Sequence, residues 1–269
     1  MSADALHRVS QVHAEVRART PLVQCLTNYV SMDVAANVLL AAGASPAMVH
    51  DRREAGEFAA LAAAVVVNIG TPSPPWVEGM TDAASVAHDR GTPWVLDPVA
   101  VGATAYRRET VAALMEHRPT VVRGNASEVL AIATQQSHGR GVDADGDLGD
   151  VAVAVDLARS TGLVVAVTGA VDVVTDGRRV AHVHGGDPRM PQITALGCSA
   201  SALVGAFCAV EADPFEATVA ALGILAAAGG RAGARAHGPG SLRWMLVDEL
   251  STIDADALAS HLRVVVDEA

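Results

Sequence analysis

Aromatic residues and basic runs are both scarce in this chain of 269 residues. Phe, Trp and Tyr together make up 3% of it, so the 51% of hydrophobic residues are mainly Ala, Val and Leu, which suit helices packed closely on a buried sheet. The net charge is −11, and no stretch concentrates lysine or arginine. This acidic balance argues against nucleic acid and against an anionic membrane as partners, although it allows a local positive site for a phosphorylated ligand.

Cysteine is also rare, and no segment has the pattern of an export signal or a membrane span. The three cysteines are an odd number without the spacing of a metal site, which favours a reducing compartment. The N-terminal segment is amphipathic and charged, and it lacks the apolar core of a signal peptide. The most apolar runs, residues 59–67 and 217–230, are too short or too rich in Ala and Gly to span a bilayer. We therefore expect a cytoplasmic protein.

Several familiar site motifs are absent from the sequence. There is no G-x-x-x-x-G-K-[ST] of a P-loop, no G-x-G-x-x-G of a dinucleotide site, no H-E-x-x-H and no C-x-x-C. Cys198 as a hydrolase nucleophile would need a paired histidine, and its position nominates none. The function must therefore be inferred from the fold and from single residues.

Helical and strand patterns alternate along most of the chain. Residues 65–69 form a continuous apolar run, the kind of strand that a parallel sheet buries on both faces. This alternation predicts a three-layer α/β/α fold with a mostly parallel central sheet. We see no linker or repeat, so residues 1–269 are expected to form one domain. Towards the C-terminus we expect antiparallel edge strands over 171–176 and 180–184 and helices over about 198–210, 214–236, 242–250 and 254–266.

Polar or otherwise special residues stand at several predicted strand ends. Open parallel sheets bind ligands beyond the carboxyl ends of their strands. Any one of these residues could be a turn residue, but their recurrence along one edge of the sheet favours a binding site. They are Asn28, Met48, Asn68, Asp97, Arg123, Asn125, Thr168 and Gly169.

Asp97 and Glu128 are the candidate acidic groups of that site. A carboxylate at the end of a strand, such as Asp97, could hold a magnesium ion directly or through water. Glu128 follows Asn125 by three residues, so it could face the same ion or form a capping box with Asn125. Both uses of Glu128 stay open. Arg123, just before this turn, could neutralise a nucleotide phosphate.

The stretch TALGCSASALVG, residues 194–205, places glycine and cysteine where a helix of small residues begins. Gly197 is expected to make a tight turn, and Cys198 to begin the first helical turn. Amides at a helix start lack partners within the helix, and together with the helix dipole they favour a phosphate. The same field is expected to lower the pKa of the Cys198 thiol. The alternative is a buried helix whose small residues serve close packing alone.

The chain resembles the hydroxyethylthiazole kinases, a thiamin-pathway family with a ribokinase-like fold. The resemblance runs from about residue 8 to 265. Its most specific segments are QCLTNYVSMDVAANVLLAAGASPAM (24–48), NIGTPSPPWVEGM (68–80), VLDPVAVGAT (95–104), RGNASEVLA (123–131), VTG (167–169) and HGPGS (237–241). It implies transfer of the γ-phosphoryl group of ATP to the primary hydroxyl of 4-methyl-5-(2-hydroxyethyl)thiazole. It also implies a homotrimer whose active sites lie between neighbouring subunits.

The resemblance also implies roles for individual residues. On the acceptor side, Met48 would contact the thiazole with Asn28 nearby, and Ala195 and Gly197 would approach the substrate. Cys198 matches the position at which ribokinase relatives carry a catalytic aspartate. On the donor side, ATP would be held by Arg123, Thr168, Gly169 and Asn125, and Mg²⁺ would be organised by Asp97 and Glu128.

One position departs from the family pattern, and three other functions stay open. The family usually shows G-x-G-C where this chain has Ala195, Leu196, Gly197 and Cys198, and an alanine is disfavoured there if the backbone has a positive φ. The alternatives are a sister kinase of hydroxymethylpyrimidine or pyridoxal, an ADP-dependent dehydratase of the same fold, and a non-catalytic binder.

Overall fold

The computed structural model describes residues 3–136 and 146–269. Within this part of the chain, nine strands form one sheet in the order β2-β1-β3-β4-β5-β6-β7-β8-β9. The strands are β1 (Leu22–Leu26), β2 (Ser45–Ala47), β3 (Ala64–Asn68), β4 (Trp94–Asp97), β5 (Val121–Gly124), β6 (Val164–Val167), β7 (Asp172–Thr175), β8 (Arg179–His184) and β9 (Arg263–Glu268).

Helices connect most of these strands. They are α1 (Ala3–Arg19), α2 (Met32–Ala42), α3 (Ala55–Ala59), α4 (Pro74–Arg90), α5 (Ala105–Met115), α6 (Ala126–Gln136), α7 (Gly146–Thr161), α8 (Leu196–Cys208), α9 (Pro214–Gly233), α10 (Pro239–Thr252) and α11 (Ala255–His261). A single 3₁₀ turn, Met190–Gln192, precedes α8 within the described residues.

The sheet is parallel from β2 to β6 and antiparallel from β6 to β9. Alternate side chains of each inner strand enter two separate apolar cores, with Val66 and Val95 in one and Val65 and Leu96 in the other. The first core is closed by α1, α2 and α8–α11, and the second by α3–α7. The prediction of three layers around a mostly parallel sheet is confirmed.

Small residues let α8 lie directly on the sheet. A Cβ added at Gly205 would come within 2.5 Å of Val66 Cγ2, so this position has no room for a side chain. Helix α9 is long and apolar enough to cross a bilayer by length and composition, but 83% of its apolar window is buried inside the protein. The close approach of α8 carries its N-terminus to the carboxyl ends of β1, β3 and β4.

The end of the chain differs from the sequence-based expectation. The helix predicted over 254–266 ends at His261, and residues 263–268 form β9, which pairs antiparallel with β8. The strand contains the β-branched run Val264–Val266, which packs better on a pleated surface than in a helix. Because β9 covers it, β8 is not the edge strand that was predicted.

His13 gives the first testable prediction, an acid-sensitive fold. Its ring is buried and stacked on Phe207 with centroids 6.1 Å apart, and Arg17 Nε donates to its Nε2. Burial, reinforced by the charge of Arg17, lowers the pKa of His13 to about 4. Below pH 6.5 the His13 side chain is protonated in the unfolded chain but stays neutral in the folded chain down to about pH 4, so the free energy of unfolding falls as the pH falls. By pH 4 we expect a loss of about 3 kcal/mol from this group.

The measurement is urea unfolding at pH 7.5 and pH 5 for the wild type and His13→Leu. The variant should lose less stability on acidification than the wild type. His7→Leu, at an exposed histidine of the same helix, should behave like the wild type. An equal pH dependence in the wild type and His13→Leu would contradict the assignment.

Candidate active site

A cavity of about 950 Å³ opens at the carboxyl ends of β4, β5 and β6, against the N-terminus of α8. One end of it is polar and the other is walled by apolar residues such as Met190, Ile193 and Leu225. Nine of the residues singled out from the sequence line it, namely Asp97, Arg123, Asn125, Glu128, Thr168, Gly169, Ala195, Gly197 and Cys198. The sheet edge that the sequence indicated therefore does form one site.

The N-terminus of α8 is placed differently from the prediction. The helix begins at Leu196, and the residue with left-handed backbone is Ala195, with φ 66° and ψ 4°. Ser199 N–H donates to Ala195 O at 2.9 Å, so the amides without a partner within the helix are those of Leu196, Gly197 and Cys198. The prediction that Gly197 makes the tight turn is wrong.

Gly197 is needed for a different reason, which is space. A Cβ at this position would lie 2.9 Å from Arg123 Nη1, so its absence lets the guanidinium approach the first turn of α8. The three α8 amides without a partner within the helix therefore lie at the same part of the cavity as Arg123. This combination favours an anionic ligand at that point.

The left-handed backbone at Ala195 gives the second prediction. Ala195→Gly should raise the free energy of unfolding by about 1 kcal/mol, because a Cβ costs roughly that much in this conformation. The matched control is Ala209→Gly at the other end of α8, where φ is −68° and glycine should lower stability by about 0.5–1 kcal/mol. Chemical denaturation measures both changes, and a loss of stability in Ala195→Gly would contradict the strain.

Cys198 does not have the low pKa that its place at a helix start suggested. Burial raises the pKa of the thiol, the negative charge of Asp97 raises it further, and hydrogen bonds from Asn28, Ser31 and Asn68 lower it only in part. Asn28 Nδ2 donates to Cys198 Sγ at 3.2 Å. The thiol is therefore neutral near pH 7, and its partner is an amide rather than a histidine.

Asp97 is the most deeply buried charged group of the site, at 1% exposure. Its Oδ2 accepts from Asn68 Nδ2 at 2.7 Å and from Ser201 Oγ at 2.8 Å, and Arg123 Nη1 lies 3.7 Å away. Burial raises the pKa of Asp97, and the charge of Arg123 together with the two donors opposes that rise. The two donors hold the Asp97 carboxylate in place at the cavity, where it can interact with a cation or a polarised group.

Arg123 is fixed at one end and unpaired at another. Its Nη2 donates to Thr168 Oγ1. Its buried Nε has no hydrogen-bond partner among the described residues. A buried donor without an acceptor is costly unless a ligand supplies one. A bound anion would supply Arg123 with the acceptor that it lacks among the described residues.

Glu128 does form the capping box with Asn125. Asn125 N–H donates to Glu128 Oε2 at 2.9 Å, and Glu128 N–H donates to Asn125 Oδ1 at 3.0 Å. Glu128 Oε1 accepts from the amide of Ala100 at 2.9 Å. Each carboxylate oxygen keeps a further lone pair, and Glu128 lines the cavity together with Asp97.

The acidic groups fit magnesium better than a metal held by the protein alone. No cluster of three or more His, Cys, Asp or Glu with metal-binding geometry occurs in residues 3–136 and 146–269. Magnesium prefers oxygen ligands and is often held through one or two carboxylates, phosphate oxygens and several waters. Asp97 and Glu128 match that donor set.

Asp172 lines the same cavity and was not found from the sequence. It accepts from Gly169 N–H at 2.9 Å, and burial raises its pKa to about 6 against the opposing effects of that bond and of Arg123. The sequence pattern points to the carboxyl ends of parallel strands, whereas β7 runs antiparallel and brings its amino end to this edge. An acidic residue three positions after the Gly169 turn was the available signal.

Three predicted residues, Asn28, Met48 and Asn68, do not line this cavity. Asn28 reaches it indirectly, through its hydrogen bond to Cys198. Met48 follows the edge strand β2, packs against the core on the α8 side, and its carbonyl bonds to His50 Nδ1 at 3.1 Å. His50 in turn packs on Trp76, whose ring contacts Tyr29.

The fold is that of the ribokinase-like kinases. A solved pyridoxal kinase from Bacillus subtilis shares the fold at a TM-score of 0.56 and 19% identity, covering 78% of this chain and 91% of its own. The solved hydroxyethylthiazole kinase protein of Pyrococcus horikoshii superposes with a TM-score of 0.91 at 37% identity, covering 97% of this chain and 99% of its own.

Sequence comparison gives the family. The model of the hydroxyethylthiazole kinase family matches residues 13–256. The hydroxyethylthiazole kinase of Rhizobium rhizogenes is 55% identical over 253 residues, or 93% of this chain and 94% of its own. That of Gemmatimonas aurantiaca is 58% identical over 252 residues, or 93% and 91%. The chain belongs to the hydroxyethylthiazole kinase family.

Proposed function

We propose that this protein phosphorylates the primary hydroxyl of 4-methyl-5-(2-hydroxyethyl)thiazole with ATP, in the biosynthesis or salvage of thiamin. Family membership supports the reaction. The observation that carries the chemistry is that three α8 amides without a partner within the helix lie beside the guanidinium of Arg123, whose Nε lacks a partner among the described residues. Phosphoryl transfer needs in-line positioning and charge stabilisation more than covalent chemistry.

The donor side of the site is the polar end of the cavity. Arg123 and Thr168 bind the phosphates, with Gly169 and Asn125 beside them. Asp97 and Glu128 are the residues that would hold Mg²⁺, which would neutralise phosphate charge during transfer. The amides of Leu196, Gly197 and Cys198 receive the migrating group.

The acceptor side lies beyond Cys198, towards Asn28 and Met48. Met48 offers a soft, polarisable surface for a small neutral ring. Ala195 and Gly197 line the part of the cavity through which the alcohol approaches the phosphate. The small thiolate fraction of Cys198 accepts the hydroxyl proton late in the transfer and becomes the thiol, so the residue is only a modest general base.

The Cys198 role gives a prediction. Cys198→Ala should lower kcat by about 10²-fold or less, since burial raises the pKa of the thiol and only its small thiolate fraction can act as a general base. Cys198→Asp should keep or raise turnover, because a carboxylate is the more natural base. Cys208→Ala, at the buried end of the same helix, is the control and should keep the wild-type kcat. Complete loss in Cys198→Ala with ATP binding intact would mean an obligatory thiolate.

A homotrimer with active sites between subunits belongs to the same proposal. Tyr29 and Val30 follow Asn28 directly and are 69% and 58% exposed, which is unusual for large apolar residues beside a site. A neighbouring subunit would cover them. Sedimentation equilibrium would give three times the chain mass if this holds, and a monomer at all concentrations would contradict it.

Residues 1–269 are proposed to be one cytoplasmic domain. One sheet runs from β2 to β9 and draws strands from both ends of the described chain. The three cysteines are unpaired, as a reducing compartment favours.

A substrate panel tests the function. The purified protein is given ATP and Mg²⁺ with the thiazole alcohol, hydroxymethylpyrimidine or pyridoxal, and phosphorylated product is detected by mass. The proposal predicts thiazole phosphate as the main product. Preferential phosphorylation of either other alcohol would identify a sister kinase, and thiazole binding by calorimetry without product would identify a non-catalytic binder.

A further inference from the structure

Four side chains join the ends of β1, β3 and β4 to α8 through one continuous line of hydrogen bonds. Asn68 Nδ2 donates to Asp97 Oδ2 at 2.7 Å, and Asn68 Oδ1 accepts from Asn28 Nδ2 at 2.9 Å. Asn28 Nδ2 donates again, to Cys198 Sγ at 3.2 Å. Asn68 is thus the link between the buried carboxylate and the amide that contacts the thiol.

The orientation of both amides is set by their neighbours. Asn68 Oδ1 also accepts from Gly70 N–H at 2.9 Å, so its Nδ2 must face the carboxylate of Asp97. Asn28 Oδ1 accepts from the N–H groups of Val30 and Ser31, each at 3.1 Å. Both hydrogens of Asn28 Nδ2 are then committed, one to Asn68 and one to Cys198. If either amide were flipped, its NH₂ group would face the backbone N–H groups that now donate to its oxygen.

Space on the remaining side of Asn28 is closed by the backbone. A Cβ added at Gly70 would lie 2.6 Å from Asn28 Nδ2. Asn28 and Asn68 are themselves buried, at 6% and 1% exposure. The amide of Asn28 has no second position available while Asn68 and Gly70 stay in place.

We propose that Asn68 is a positioning residue that holds the Asn28 amide against the sulfur of Cys198. Asn68 does not line the cavity, and it acts mainly through Asn28, whose amide donates to the sulfur of the Cys198 side chain that does. Its kinetic consequence rests on the proposed function, in which Cys198 stands beside the acceptor hydroxyl. Its structural consequence, a hydrogen bond kept on the sulfur, holds whatever reaction the protein performs.

The test measures how fast iodoacetamide alkylates Cys198 at one fixed pH in the full-length protein, with the site of modification assigned by mass spectrometry. Cys25 and Cys208 are buried and serve as internal references. A donor to the sulfur favours the reactive thiolate, so its loss slows alkylation. Asn68→Ala and Asn28→Ala should each lower the rate about fivefold, and the double variant should go no lower.

Ser201→Ala is the matched control. Ser201 Oγ donates to the same Asp97 oxygen as Asn68, so this variant also removes one donor from the carboxylate. It should leave the alkylation rate within about twofold of the wild type, a smaller change than the loss of one hydrogen bond to the sulfur would cause. An equal fall in Ser201→Ala and Asn68→Ala, or effects of Asn68→Ala and Asn28→Ala that multiply, would overturn the proposal.

A second variant covers the case in which Asn68→Ala does not fold. Gly70→Ala keeps Asn68 and displaces the Asn28 amide from the other side, so it should slow alkylation by a similar factor, and an unchanged rate would overturn the proposal. In the kinase assay Asn68→Ala should lower kcat and leave the KM for ATP within about twofold, roughly the scatter expected without a lost contact. Alkylation needs no substrate. If the wild type forms no thiazole phosphate, the proposed function alone is contradicted. If the wild type is an active kinase and Asn68→Ala is alkylated at the wild-type rate, this inference alone is contradicted.

Discussion

Replacing Asp97 by asparagine is expected to lower kcat by about 10²–10³-fold, the usual effect of removing a preorganised electrostatic group, and to destabilise the fold less than Asp97→Ala does. The carboxylate is fully buried, and burial raises its pKa, so its ionised form costs stability at neutral pH. Asparagine still offers an oxygen to Asn68 and Ser201 while removing the charge. Function and stability should therefore separate at this residue.

The measurement pairs steady-state kinetics with urea unfolding at pH 7.5. Asp97→Ala is the matched variant, because it removes the acceptor as well as the charge and leaves two buried donors without a partner. It should be inactive and also less stable than Asp97→Asn. Wild-type turnover in Asp97→Asn would show that the charge is not needed.

Replacing Arg123 by alanine is expected to lower kcat/KM for ATP by about 10²–10³-fold. The guanidinium is the cation facing the first turn of α8, and its Nε is unpaired among the described residues. Stability should also fall by roughly 3 kcal/mol, because Asp97 is left as a buried charge without its cation.

Two further variants separate these effects. In Arg123→Ala/Asp97→Asn the uncompensated charge is gone, so stability should return towards the wild type while activity stays low. Arg123→Lys keeps the charge and lacks the planar fork, so its activity should lie between those of the wild type and Arg123→Ala. A wild-type KM for ATP in Arg123→Ala would remove this residue from the nucleotide site.

Much of the fold could be predicted because its signals are local. The continuous valines of β3 indicated a strand buried on both faces, and alternation of strands with helices indicated the layers. The last strand could not be predicted because the local pattern of residues 254–266 favours one helix, whereas the β-branched run at its end completes the sheet beside β8. Pairing with a distant strand decided the structure of that segment.

Residues at strand ends could be placed at the cavity from the sequence, whereas properties that depend on burial could not be predicted. Asp97, Arg123 and Thr168 line one cavity as the sheet edge suggested. The pKa of Cys198 was expected to be low from its place in the helix, but burial and the charge of Asp97, which is distant in sequence, raise it. Asp172 was missed because its strand runs against the others.

The central claim is that the amides of Leu196, Gly197 and Cys198 bind the phosphate that is transferred. A crystal structure with a non-hydrolysable ATP analogue and the thiazole alcohol tests it most directly. The terminal phosphate should lie within about 3 Å of the amide nitrogens of Gly197 and Cys198, with the alcohol approaching from beside Cys198. A terminal phosphate bound away from this turn, and out of reach of Arg123, would contradict the account.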